Sequence, residues 1–93
     1  MPGEKLMIYA ADDAERSSAC EILYACRGKI AADIRQEASR GLPDAQRLAD
    51  LERVMSQLRN DIVAVRAGDR AVTTRVRVMY GMLVRAWYAP TSA

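Results

Sequence analysis

Histidine is absent from this chain, and with it the side chain that most often moves protons near neutral pH. Cysteine is limited to Cys20 and Cys26. Six positions apart, they stand about 600° apart around a helix, so they exclude an intrahelical disulfide and supply too few ligands for a zinc site. No glycine-rich phosphate loop is present, and Ser17, Ser18, Ser39 and Ser56 have no evident base beside them. Apolar runs are short. The opening residues Met1 to Tyr9 fall short of a secretory signal, and Arg75, Arg77 and Arg85 interrupt the best candidate for the roughly 20 apolar residues of a membrane span. These absences set the expectation of a non-enzymatic, cytoplasmic protein with reduced cysteines, no cofactor, no metal and no membrane span.

What is present speaks of helices. Of the 93 residues, 51% are hydrophobic and 28% charged, the balance of a folded chain, yet a domain of this length closes only a small core. Leu48, Leu51, Met55, Leu58, Ile62 and Val65 recur at alternating spacings of three and four, the seam of a coiled-coil helix. Flanking it, Arg47 would face Glu52, and Asp61 would face Arg66, in a parallel self-pairing. The same seam fits equally well against another helix of the same chain.

Asp12 and Glu15 have capping-box spacing, so a first helix is expected from about 12 to 40, with Ala19, Ile22, Leu23, Cys26, Ile30, Ile34 and Ala38 on its apolar stripe. Gly41 would end it in the left-handed conformation, and Pro43 would enter the first turn of a second helix spanning about 43 to 67. After Gly68, Asp69 is a natural N-cap for a third helix over about 70 to 89. There Val72, Val76, Met79, Tyr80, Leu83, Val84, Trp87 and Tyr88 follow a helical stripe that outlasts the strand-like alternation of residues 72 to 78, and Pro90 stops it. Its width marks the third helix as the central packing element. Residues 1–11 and 90–93 are expected to be flexible or short extended ends, with 5–9 open to either a strand or a further helical turn. The sum is a single all-α domain over 1–93: a long antiparallel helical hairpin plus a third amphipathic helix, a coiled-coil-like three-helix bundle with homodimer formation through the second helix as an expected assembly.

Charge is unevenly placed. Residues 12 to 61 hold ten acids and eight bases, whereas residues 66 to 93 hold five arginines and one acid. Arg66, Arg70, Arg75, Arg77 and Arg85 are therefore the candidate partner- or nucleic-acid-binding residues, because guanidinium groups match carboxylate and phosphate. Arg70, Thr74, Arg77, Gly81 and Arg85 would form a polar ridge opposite much of the apolar stripe. Of the paired acids, Asp12 and Asp13 are expected to serve capping, while Asp33 and Glu37 would share a solvated face with Lys29.

The expected function is that of an adaptor or inhibitor that covers the surface of another protein, one with an acidic surface. In size and architecture the chain is similar to secretion chaperones, anti-activators, and phage or mobile-element host-control and anti-defence proteins. The alternative is a nucleic-acid-binding transcriptional regulator using the arginine-rich third helix.

Overall fold

Two long helices and a composite third stretch make up the structure, a computed structural model that describes the backbone of residues 2–88 and the side chains of residues 12–88. Helix α1 is Pro2–Ala38 and α2 is Ala45–Arg66. The C-terminal segment is continuous from α3 (Arg70–Arg75) through a π turn (Val76–Tyr80) into α4 (Gly81–Tyr88). No strand occurs among the described residues, so the expected all-α class holds.

The start of α1 differs from expectation. Nothing between Glu4 and Asp12 breaks a helix, and Pro2 lacks only an amide hydrogen that the first turn leaves unused. Residues 2–11 accordingly continue the helix, which spans about 55 Å at 1.5 Å per residue. Residues 5–9 are thus helical and not a strand, and Asp12 and Glu15 sit within a helix and not at its cap. The expectations for residues 90–93 and for Pro90 lie outside the described residues.

At its other end α1 stops at Ala38, two residues before the expected limit. Gly41 does not take the left-handed conformation; the glycine that does is Gly68, with φ of 90°. There the amide of Gly68 donates to Val65 O and that of Asp69 to Ala64 O, each at 3.0 Å, the paired bonds of a Schellman ending. Pro43 precedes the second helix and does not enter it, because Asp44 is the N-cap and accepts from the Arg47 amide at 3.1 Å. Asp69 caps α3 as expected, accepting from the Val72 amide at 3.0 Å.

The closed core is small. Ala19, Leu23 and Cys26 of α1 meet Leu58, Ile62 and Val65 of α2 and Val76 of the π turn, all buried. Each fully buried leucine or valine among them contributes roughly 1.5–3 kcal/mol relative to exposure. The chain is long and flat, 64 × 36 × 15 Å, and its radius of gyration of 16.7 Å exceeds the roughly 12 Å of a compact domain of this length. Much of each helix therefore faces solvent.

Candidate interaction surface on the C-terminal segment

The six seam residues of α2 all turn inward. Leu51, Leu58, Ile62 and Val65 are buried, Leu48 and Met55 are half-buried, and Leu58, Ile62 and Val65 pack on this chain's own α1. Two of the flanking charges, Arg47 and Asp61, also find partners within the chain. Arg47 Nε reaches Glu37 Oε1 at 3.1 Å, and Arg75 Nη2 reaches Asp61 Oδ1 at 2.8 Å.

Glu37 and Asp61 hold the elements in place. Glu37 is buried, contrary to the solvated face expected for it, because it accepts from Arg40 Nη1 at 2.8 Å and from the Asp44 amide at 3.2 Å besides pairing with Arg47. The Lys29–Asp33 pair is found on the exposed surface at 2.9 Å. Asp61, 3% exposed, collects Arg75, the Gln57 amide nitrogen at 3.0 Å and the Tyr80 hydroxyl at 3.3 Å. These bonds shift the partners: hydrogen bonding to Asp61 raises Arg75 further above its usual range, and burial with the Asp61 charge raises the Tyr80 phenol. Sequence reasoning placed Asp61 only at the edge of the seam. The clue was its position beside Ile62, one step from the core, with an arginine and a tyrosine on the following helix.

Four of the five candidate arginines lie on the C-terminal segment, and three of those point at carboxylates of this chain. Arg75 faces Asp61, Arg70 Nη2 is 3.2 Å from Asp12 Oδ1, and Arg77 Nη1 is 3.6 Å from Glu15 Oε1. Arg66, on α2, and Arg85 are exposed and have no ion pair among the described residues. Three of the five arginines are thus engaged by carboxylates of this chain, and Arg66 and Arg85 are not. Gly81 also leaves the expected polar ridge: it is buried, and a Cβ there would lie 3.5 Å from Ile22 Cδ1.

The π turn explains this departure. In an α-helix the residue five places after Val76 stands about 140° away from it, whereas a turn closed by i→i+5 bonds brings it back onto nearly the same side. Here the Gly81 amide bonds to Val76 O, so Gly81 abuts α1 while Tyr80 reaches Asp61. The apolar stripe is split as a result. Val72, Val76, Tyr80 and Val84 stay on the packed side, whereas Met79 and Leu83 turn outward and, with Val78 and Met82 from outside the stripe, are 48–62% exposed. The segment is thus a half-covered element and not the centre of the core.

Those four side chains adjoin. Val78 and Met82, and likewise Met79 and Leu83, are four residues apart, with the small Ala86 next on the same face and the partly exposed Trp87 at its edge. Along the boundary with α1, Ser18, Ile22, Thr74, Arg77, Val78, Met82 and Arg85 line a depression of about 390 Å³. Ile22, Val78 and Met82 supply its apolar lining, and Arg77 and Arg85 its charged lining. Among the described residues no helix is long and apolar enough to cross a membrane, and no three metal-ligating side chains converge. No protein-family model, curated protein or solved structure matches this chain.

Proposed function

We propose that this chain is a non-enzymatic helical adaptor or inhibitor that acts by covering part of another protein's surface with the outer face of residues 78–87. The reading is supported above all by the contiguous exposure of Val78, Met79, Met82 and Leu83 in a molecule whose core closes elsewhere. Extended apolar patches on soluble chains mark interaction sites far more often than single exposed residues do. Glu37 near the end of α1 pairs with Arg47 at the start of α2, and Asp12 of α1 with Arg70 just beyond the end of α2, which favours an antiparallel hairpin as the scaffold for that face. Homodimer formation through the α2 seam would require opening the core that Leu58, Ile62 and Val65 share with α1. A partner on the outer face leaves that core closed.

Capture from a lysate by the wild type, by Met82→Asp and by Arg66→Glu, beside a salt titration with a mixed-sequence DNA duplex, tests the proposal. The expected result is a protein retained by wild type and Arg66→Glu but lost with Met82→Asp, and no DNA complex. DNA binding that weakens steeply with salt and survives Met82→Asp would support the nucleic-acid regulator instead.

A further inference from the structure

We infer that the occupant of the outer face is an amphipathic α-helix of another protein, carrying carboxylates along one edge that lies against Arg77 and Arg85. This rests on the proposed function and adds the chemistry of the partner. The face has helical dimensions: Val78 to Trp87 covers about 13 Å at 1.5 Å per residue, or two and a half turns, and its residues repeat at spacings of three and four. Ala86 leaves room for close approach along the line of Met82. Met79 and Met82 are unbranched and adaptable, suited to packing against a helix whose side chains vary.

Charge selects the partner's sign. Residues 70–88 contain four arginines and no aspartate or glutamate. Arg85, which lines the depression together with Met82, has no ion pair among the described residues. Arg77 has only the long contact to Glu15, between two side chains that are both about half exposed. A second copy stacked face to face would bring the same arginines against Arg85, and the carboxylate beside that edge, Glu15, already faces Arg77. Nucleic acid is disfavoured because Val78, Met79, Met82 and Leu83 occupy the surface that phosphates would need, while Arg70 and Arg75 already face carboxylates. An anionic lipid surface meets the same shortage of free cations.

Trp87 is the single tryptophan and stands at the edge of the face, so its emission reports occupancy directly. The probes are two synthetic 18-residue helical peptides with one common leucine stripe, edged in one case by glutamate and in the other by lysine. The glutamate-edged peptide is expected to shift Trp87 emission to the blue and to bind about tenfold more tightly than the lysine-edged one. Arg85→Glu should erase or invert that preference, and Met82→Asp should abolish binding of both peptides with helicity unchanged. Both positions are exposed, and circular dichroism checks each fold. Equal binding of the two peptides, or binding that survives Met82→Asp, overturns the inference. So does a dimer in light scattering that Met82→Asp makes monomeric, or Met82-dependent sedimentation with phosphatidylglycerol vesicles. If neither peptide binds while Met82→Asp still loses a captured protein, the helix assignment falls and the wider protein-partner reading stands.

Discussion

Arg75 donates to Asp61 across the joint between α2 and the C-terminal segment, 14 residues apart in sequence and 2.8 Å apart in space. The carboxylate is almost wholly buried and the guanidinium is partly exposed, so the bond ties one turn of the segment to α2. Asp61→Ala removes the acceptor for Arg75, Gln57 and Tyr80 together and is expected to cost about 2–3 kcal/mol. In thermal unfolding that amounts to a fall of roughly 10–20 °C for a domain of this size. Tyr80→Phe, losing a single bond of 3.3 Å, should cost only about 0.5–1 kcal/mol.

The seam of α2 predicts a mutational result that depends on its use within the chain. Leu58 is 2% exposed and touches the core shared with α1, so Leu58→Ala should destabilise by about 2–5 kcal/mol. Its melting temperature should not vary with protein concentration. A melting point that rose with concentration in the wild type and lost that dependence in Leu58→Ala would assign the seam to a subunit interface.

Two glycines should answer alanine in opposite ways. Gly81 is helical at φ of −59°, and its added methyl would meet Ile22 at an ordinary 3.5 Å, so Gly81→Ala should stabilise by about 0.5–1 kcal/mol. Gly68 has open space around it but a φ of 90°, and Gly68→Ala should destabilise by about 1 kcal/mol. Paired denaturant titrations compare the two.

The two thiols should differ in reactivity. Cys26 lies in the core, and burial pushes its thiol up; Cys20 is half-buried. At pH 8, Ellman's reagent should react with Cys20 first and with Cys26 only as the fold opens. Cys20→Ala should remove the fast phase and leave the slow one.

Alkaline stability follows from the same groups. Cys26 and Tyr80 both have raised values in the fold, so folding favours their protonated forms. Their contribution is complete below the ordinary values, about 8.5 for cysteine and 10 for tyrosine, and is lost as pH climbs through the raised ones. Denaturant midpoints should therefore decline above about pH 9, and Tyr80→Phe should flatten the part of the decline above about pH 10.

The helices, and the Asp69 cap, were legible in the sequence because they are local, whereas Asp12, Gly41 and Pro43 do not play the terminal roles expected of them. Asp69 before Val72 and the alternation from Leu48 to Val65 need only neighbours within a turn or two to act. The periodicity of residues 70 to 88 shows a helix but not its buried side, since Tyr80 and Gly81 answer to Asp61 and Ile22 on other helices. Uniform 100° steps per residue cannot register a turn widened by such contacts. Asp12 and Glu15 show the converse. Their spacing suits a helix start, yet with no breaker before them the helix continues and they meet Arg70 and Arg77. The exposed apolar face emerged only once those long-range contacts fixed which way the segment turns.

The π turn has one more consequence, for descent with modification. A loop of hydrogen bonds closed over five residues accommodates one residue more than an ordinary α turn. Loss of a single codon between Val76 and Tyr80 would let the segment close as plain α-helix, with Gly81 still against Ile22 and the downstream helix in its seat. Only the outward positions would be dealt anew. The chain thus has a place where a one-residue insertion or deletion can change what the molecule shows to the outside while its interior stays the same.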